Sequence, residues 1–414
     1  MGKIQNKGKD RCISMDDLKY DIVIVGAGPA GSVTAKHAAK NGAKVLLLEK
    51  RQEIGAPVRC GEGLSLEGRL DDADIKIDPK AIARQIDGAR IISPKGYTLT
   101  VGREMAGNEC GANIHRDVFD KGLAEDAADH GADIMVKTMA IDLIRKAGKI
   151  AGIKAKHMGE SFNVQSKIVV GADGFESKIG RQAGINTTLK PSDINTCFEY
   201  FMVGVEERAS YNDFYIGSIA PGGYIWVFPK QNDTANVGIG VNLAKLNKLD
   251  DVGMAKKFLD KFISKHPEIN CGKAIKEIAG AISCSMPLDQ TVDDNILLVG
   301  DAARHIDPIT GGGIVNGILA GKIAGEVMAE AIQAEDYSKE FLMKYDKGWR
   351  RIFEDKMIRN WLAKEKLVTL DDEVFDNVLE ALQDIDIEHV TTLNILRAVQ
   401  SKYPELVREF EEML

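Results

Sequence analysis

YDIVIVGAGPAGSVTAKHAAKNGAKVLLLEKR, Tyr20 to Arg51, reads as one complete βαβ unit. Ile22 to Val25 is a short apolar run rich in β-branched residues, Ala30 to Lys40 is a helix, and Val45 to Leu48 is a second buried strand. Gly26, Gly28 and Gly31 fill a GxGxxG pattern at the turn from strand to helix. There the first glycine permits the tight turn, the second lets a pyrophosphate approach the backbone, and the third lets the helix pack closely on the sheet. Glu49 closes the second strand 18 positions after Gly31, where an acid binds ribose hydroxyls and disfavours a 2′-phosphate. The unit predicts a dinucleotide site, and NAD and FAD both fit it.

A second stretch separates those two. Ile296 to Gly325 reads ILLVGDAARHIDPITGGGIVNGILAGKIAG. A four-residue apolar strand, Ile296 to Val299, runs into Gly300-Asp301 and a loop with Pro308. Then come Gly311, Gly312 and Gly313 and a long helix of small residues. The three glycines leave no side chain at the expected helix entrance, so a ligand can approach the backbone. The free N–H groups and positive dipole end there suit an electron-rich ring such as a reduced isoalloxazine. Asp301 is placed to accept hydrogen bonds from ribityl hydroxyls. A nicotinamide domain has no need of this second glycine loop, whereas FAD extends well beyond its adenosine site. Between the two stretches, Ile168 to Arg181 (IVVGADGFESKIGR) is a buried strand followed by Ala-Asp-Gly with Asp173, then Ser177 and Arg181. The order of the three pieces resembles the flavoproteins of the p-hydroxybenzoate hydroxylase group and implies FAD as cofactor.

Composition agrees with a large folded enzyme. The 414 residues are 44% hydrophobic and 28% charged, enough for two or three lobes and a sizeable core. The net charge of −8 argues against nucleic-acid binding. No run approaches the ~18 apolar residues of a membrane span. The first 18 residues are polar and charged, with no signal-peptide core, and are expected to form a disordered extension. The cysteines, Cys12, Cys60, Cys110, Cys197, Cys271 and Cys284, form no CxxC pair, so no metal site is expected, and single scattered cysteines suit a reducing cytoplasm.

The expected fold class is α/β with an α+β second lobe. A Rossmann-type FAD-binding domain is assembled from 19–75, 108–185 and 285–335, and a β-rich substrate domain from 76–107 and 186–284. A charged helical region follows over 336–414. Within these, Arg90 to Val101 reads as short strands and His115 to Asp129 as a helix. Strands are expected at Thr196 to Glu206, Phe214 to Ser218, Tyr224 to Pro229, Ala235 to Val241 and Gly280 to Met286, with a helix at Gly253 to His266. The apolar spacing of Leu367, Leu370, Val374, Val378 and Leu382 suggests a packing face rather than a membrane contact.

Two further segments carry a narrower resemblance: PVRCGEGLS, Pro57 to Ser65, and APGGYIWVFP, Ala220 to Pro229. With the FAD pieces they resemble the geranylgeranyl reductase family, and within it the archaeal digeranylgeranylglycerophospholipid reductases. Asn360 to Lys366 resembles that family more weakly. The resemblance runs from Tyr20 through the C-terminal helices. It implies FAD-dependent reduction of isoprenoid C=C bonds in geranylgeranylated glycerophospholipids, for membrane lipid biosynthesis. It places Ala30 and Gly31 at the pyrophosphate, Glu49 at the ribose, and Cys60, Gly61 and Gly63 along the route to the ring. Arg116 pairs with the phosphates, Ala140 meets the adenine side through its backbone, and Asp301, Gly313 and Ile314 hold ribityl and flavin.

An isolated prenyl double bond has no carbonyl to accept charge, so hydride and proton must reach opposite carbons. Tyr224, Trp226 and Phe228 alternate along one strand. Their plain reading is hydrophobic packing; the resemblance suggests that this face lines an apolar cavity. There an aromatic face stabilises a developing cation by roughly 1–2 kcal/mol. The proton donor is left open, with Cys60 as a candidate because a thiol in an apolar pocket stays protonated. No second GxGxxG is found, so the electrons are expected from an external donor, ferredoxin or NADPH. A cytoplasmic protein in peripheral contact with a membrane is expected. The alternatives are a monooxygenase on the same scaffold, a flavin electron-transfer module, and a prenyl cyclase.

Overall fold

The computed structural model describes residues 18–65, 70–102, 111–206, 208–247 and 255–383. The expected N-terminal extension therefore lies outside the described residues except for Leu18, and so do Cys12, Cys110 and the chain beyond 383. Leu18 is not part of an extension: it begins the first strand, Leu18–Val25, and is buried.

That strand sits in an eight-stranded sheet. Parallel neighbours run in the order Ile296–Leu298, Glu160–Gly171, Leu18–Val25, Val45–Leu48 and Asp133–Met135. An antiparallel hairpin, Thr138–Lys146 and Lys149–His157, rides on the long Glu160–Gly171 strand. The three motif-bearing strands end in register, with Val25 beside Gly171 and Gly171 beside Leu298. Each then opens a loop on the same sheet edge, at Gly26, Asp173 and Gly300. Such carboxyl-end crevices are where parallel sheets bind ligands.

The helix Pro29–Lys40 packs against Ile314–Ala334, the small-residue helix. A Cβ on Gly321 would meet the Ala30 carbonyl oxygen at 2.7 Å, and one on Gly325 the His37 Cβ at the same distance. The small residues thus bring the two helix entrances together at the crevice. A core of Ile22, Ile24, Leu47, Val170, Ala320 and Ala324 lies beneath them.

A second sheet of seven strands runs in the order Lys273–Ser283, Ile194–Val203, Thr234–Asn242, Tyr224–Pro229, Tyr211–Tyr215, Gly88–Ile92 and Thr98–Gly102. Strand Lys273–Ser283 begins seven residues before the expected Gly280, because Lys273 to Glu277 lie on an exposed sheet edge and need no apolar pattern. Helix Ala255–Ser264 covers one face, burying Leu259 and Phe262 against Tyr200, Val227, Val237 and Ile239. The opposite face looks toward the first sheet. A three-stranded sheet of Gly63–Ser65, Gly111–Ile114 and Ile82–Gln85 bridges the two.

The C-terminal helices close the assembly. Lys339–Trp349 passes through a π-helical turn, Arg350–Glu354, into Asp355–Leu367. The expected continuous stripe is broken after Leu367. Asp371 caps a new helix, Asp372–Leu382, by accepting a hydrogen bond from the Val374 N–H at 3.0 Å. One side of this helix docks on the second sheet's loops: Asp372 accepts from Ser218 N–H and O–H at 2.7 and 2.6 Å, and Asp376 from the Ser93 hydroxyl at 2.6 Å. The other side, with Val374, Val378 and Leu382, borders a cavity together with Leu367 and Leu370.

Candidate active site

The cavity between the sheets has a volume of about 2710 Å³, against about 300–1,000 Å³ for an ordinary small-ligand pocket. It has room for a dinucleotide and a second large molecule together. The candidate catalytic and cofactor-binding residues line it, whereas Ser177 and Arg181 do not. At one end are Gly26, Gly28, Ala30, Gly31, Glu49, Ala140 and Asp173; in the middle are Cys60, Gly61, Gly63, Arg116, Asp301, Gly311, Gly312, Gly313 and Ile314; beyond them stand Tyr224, Trp226 and Phe228.

The glycine turn separates into packing and ligand roles. A Cβ on Gly26, whose φ is +109°, would strike the Ala172 carbonyl oxygen at 2.2 Å, and one on Gly31 the Gly26 oxygen at 1.9 Å. Gly28 is different: its φ is −74° and an added Cβ would meet nothing within 4 Å. No packing inside the chain requires glycine there, yet any side chain would enter the space above the helix entrance. Glu49 is held ready, its carboxylate accepting from Ala27 N–H at 3.2 Å and Arg51 N–H at 2.9 Å.

The second glycine loop carries the other half of the cradle. Gly313 caps Ile314–Ala334 with no side-chain cap, leaving the first N–H groups facing the cavity. The loop is fixed from three sides. Asp307 accepts from Ile309 and Thr310 N–H at 2.9 and 3.0 Å and from Asn360 Nδ2 at 2.6 Å. Tyr224 donates to the Thr310 carbonyl, and Ser177 donates to the Ala302 carbonyl at 3.1 Å. Burial pushes the Asp301 carboxyl up, and the nearby Arg116 guanidinium opposes it. Asp173 is also pushed up by burial; its Oδ2 accepts from Ile179 N–H at 3.0 Å while Oδ1 is buried without a partner. Arg116 is engaged within the chain, binding Asp120 through two contacts of 2.7 Å. An extended dinucleotide fits this set: an open step at Gly28, an oriented acid at Glu49, and a carboxyl at Asp301 beside two helix entrances.

The far chamber is aromatic on one wall. Ile225 and Val227 point into the second sheet's core, whereas Tyr224, Trp226 and Phe228 face the cavity. Phe214 meets Tyr224 and Phe228 edge-on, each at 5.3 Å between centroids. Trp226 is clamped: a Cβ on Gly238 would lie 2.1 Å from its ring and one on Gly61 3.0 Å from its Nε1. Burial pushes the Tyr224 hydroxyl and the Cys60 thiol up, so both are protonated at neutral pH.

Between cradle and chamber lies a polar group that sequence reasoning missed. Glu62, with φ +67°, accepts from Arg116 N–H at 2.8 Å and Asn236 Nδ2 at 2.8 Å, and pairs with the buried Lys230 ammonium. Asn236 also donates to the Gly61 carbonyl at 3.0 Å. Together these contacts fix the Cys60-Gly61-Glu62 turn. Glu199 stands beside this group on strand Ile194–Val203, 4% exposed, lining the cavity with both carboxyl oxygens unpartnered. One signal was available, since Cys197 and Glu199 alternate with Phe198 and Tyr200. Only the fold tells which face meets the cavity.

Known proteins resemble the chain over nearly all its length. A family model described as the geranylgeranyl reductase catalytic domain matches residues 193–282, and one for FAD dependent oxidoreductases matches 21–216. A digeranylgeranylglycerophospholipid reductase of Picrophilus torridus is 47% identical, covering 96% of this chain and 100% of that protein. A reductase of the same name from Thermoplasma acidophilum is 46% identical, covering 95% and 99%. A crystal structure of a geranylgeranyl bacteriochlorophyll reductase-like protein from Thermoplasma acidophilum superposes with a TM-score of 0.89 at 46% identity, covering 96% and 100%. A flavin-dependent brominase shares the fold alone, with a TM-score of 0.68 at 22% identity, covering 94% of this chain and 100% of that one.

Proposed function

Because the chain belongs to the digeranylgeranylglycerophospholipid reductase family, we infer that it saturates the isoprenoid C=C bonds of geranylgeranylated glycerophospholipids, as an FAD-dependent oxidoreductase of archaeal-type membrane lipid synthesis. The observation that carries this reading is the single cavity that joins the dinucleotide cradle to an aromatic, apolar chamber. When bound and reduced, FAD would supply the electron pair and one hydrogen for the alkene. The reading is tested by anaerobic mixing of dithionite-reduced protein with digeranylgeranylglyceryl phosphate: the lipid reoxidises the flavin, and a saturated lipid of the same headgroup does not.

The same geometry supports the proposed cradle roles. Gly28 and Ala30 receive the pyrophosphate at the helix entrance that Gly26 and Gly31 hold close to the strand, Glu49 takes the adenosine ribose, and the Ala140 backbone the adenine. Asp173 closes that end. Asp301 takes ribityl hydroxyls, and Gly311, Gly312, Gly313 and Ile314 border the ring, with Cys60, Gly61 and Gly63 on its approach. Arg116 reaches phosphate oxygens on exchange from Asp120. The cradle and the small-residue helices form one FAD-binding unit drawn from 19–75, 108–185 and 285–335, and the second sheet forms the substrate unit drawn from 76–107 and 186–284. Of the region 336–414, the described residues 336–383 close the chamber.

Trp226 and its neighbours exclude water and face the carbon that gathers positive charge. Trp226→Ala is expected to keep the FAD spectrum and to slow flavin reoxidation by the lipid roughly tenfold, for an aromatic–cation term of about 1–2 kcal/mol. Stopped-flow reoxidation alongside equilibrium FAD binding checks this. A fall in FAD affinity matching the fall in rate would contradict it.

The electrons come from an external carrier, a reduced ferredoxin or NADPH, and rapid flavin bleaching by one of them identifies which. Among the described residues no helix is long and apolar enough to cross a membrane. We propose that the lipid is taken up by peripheral contact of a cytoplasmic protein. The contact face is the outer stripe of the π-helical turn Arg350–Glu354 and the helix Asp355–Leu367, with Ile352 and Leu362 exposed at 47% and 42% beside Lys356, Arg359 and Lys366. Lys356, Arg359 and Leu362 also border the cavity. This basic stripe, on a chain of net charge −8, complements an anionic lipid surface. Ile352→Asp with Leu362→Asp is expected to lower binding to anionic vesicles at least tenfold, since each buried aliphatic side chain contributes about 1.5–3 kcal/mol. Flotation at low salt measures it.

A further inference from the structure

We propose that Glu199 is the acid that protonates the alkene, acting from the wall of the chamber next to Trp226 and the Cys60-Gly61-Glu62 turn. The proposal rests on the reductase reading above and names the residue that completes its chemistry.

Three observations place a proton on this side chain. First, Glu199 is buried, lines the cavity and has no partner for either carboxyl oxygen. A buried carboxylate without hydrogen bonds is costly, whereas the neutral acid is far less so. Second, the groups around it do not neutralise it. Lys230 is already paired with Glu62, Asn236 donates to Glu62 and Gly61, and Lys276 lies on the exposed edge strand. Cys197 on its own strand and Cys60 across the turn are both pushed up by burial and bring no positive charge. Burial, with the Glu62 carboxylate second, holds the Glu199 carboxyl up at about 8, against weaker pulls from Lys230, the nearby Cys60 backbone N–H and Lys276. Third, its backbone pairs with Gly238, and the Cβ that Gly238 lacks would lie 2.7 Å from the Glu199 Cβ and 2.1 Å from the Trp226 ring. That missing side chain lets acid and indole stand side by side.

The step balances with the reductant of the proposed activity. The C=C π bond breaks and two C–H bonds form. One hydrogen arrives with the electron pair from the reductant. The other arrives as the proton of Glu199, whose O–H bond breaks to leave a carboxylate near the Lys230 ammonium. A solvent proton restores the acid before the next turnover. Glu199 releases a proton near neutrality more readily than a thiol held above its usual range, which leaves Cys60 as a wall of the site.

The test compares the holoenzyme with Glu199→Gln, Glu199→Asp and Cys60→Ser. General acid catalysis contributes about 10²–10⁴-fold, so Glu199→Gln is expected to slow lipid-dependent flavin reoxidation at least a hundredfold. Its flavin spectrum and dithionite reduction stay as in the unmodified protein, and Glu199→Asp recovers part of the rate. Two readouts do not depend on turnover. The infrared C=O stretch of a protonated carboxyl is present at pH 6, fades as pH rises through about 8, and is missing in Glu199→Gln. The stability of the unmodified protein relative to Glu199→Gln falls as pH rises from about 4.5 to about 8, because the folded state holds this proton and the unfolded state does not. If Glu199→Gln reoxidises at the unmodified rate, or if no carboxyl band titrates in the unmodified protein, the proposal is overturned. If Cys60→Ser slows the step with FAD affinity and flavin spectrum unchanged while Glu199→Gln does not, the thiol is the donor and the proposal is also overturned. If the unmodified enzyme never transfers electrons to the lipid, it is the reductase reading that falls.

Discussion

Gly28→Val is expected to give a folded protein that has lost FAD, while Gly31→Ala loses stability first and FAD only as a consequence. The two glycines sit three residues apart in one turn, but the chain needs them for different reasons. An added Cβ at Gly28 meets nothing within 4 Å, and the φ of −74° there is open to any residue. Valine therefore costs the apo-protein about 0.5 kcal/mol or less. It stands in the space where the pyrophosphate approaches the helix entrance. Losing two hydrogen bonds to a charged group at about 1.5–3 kcal/mol each weakens FAD binding about 10²–10⁴-fold. At Gly31 the added Cβ would lie 1.9 Å from the Gly26 carbonyl oxygen, which forces strand and helix apart and costs about 1–3 kcal/mol or more. Thermal denaturation of the apo-proteins separates the two, and titration with FAD measures the affinity. A Gly28→Val protein that binds FAD normally would remove the ligand role assigned to that position.

Lys230→Ala is expected to destabilise the protein by about 3–5 kcal/mol, the usual result of removing one partner of a buried ion pair. Lys230 and Glu62 are 2% and 8% exposed in their side chains, so the remaining carboxylate has no solvent to turn to. It would keep the Asn236 and Arg116 hydrogen bonds, which limits the loss without cancelling the charge. The double variant Lys230→Ala with Glu62→Gln removes both charges and is expected to cost much less than Lys230→Ala alone. Urea unfolding of the singles and the double forms a mutant cycle that isolates the pair. Equal losses from the single and the double would mean that Lys230 acts through its aliphatic stem instead.

These two predictions draw on parts of the molecule that differ in how they are written in the chain. The glycine turn is local: strand, turn, helix and acid follow one another within 32 residues, so spacing alone specifies them. The Gly311 to Gly313 loop is local in the same way, and the alternation of Tyr224, Trp226 and Phe228 marks a strand with one aromatic face. The Glu62, Lys230, Asn236 and Glu199 group is not local. Its members come from a turn, two strands and the residue just after a third strand, and each looks like an isolated polar residue until the second sheet packs against the first. Glu199 is the clearest case, since its strand neighbours Phe198 and Tyr200 read as core and the face it occupies depends on helix Ala255–Ser264 covering the other one. The break at Asp371 was hidden by a different effect. The apolar spacing from Leu367 to Leu382 continues across it because both helices turn that side to the cavity, while the Asp371-Asp372-Glu373 run is the N-terminal signal that ends the pattern.

The central claim is that one cavity holds FAD and a prenylated lipid together, so that electrons pass from one to the other. Its most direct test is the mass spectrum of digeranylgeranylglyceryl phosphate after anaerobic incubation with the dithionite-reduced holoenzyme. The account predicts a product heavier by two hydrogens for each double bond saturated, formed with protein and not with free reduced FAD. A lipid of unchanged mass, or one that gains oxygen when air is admitted, would contradict it.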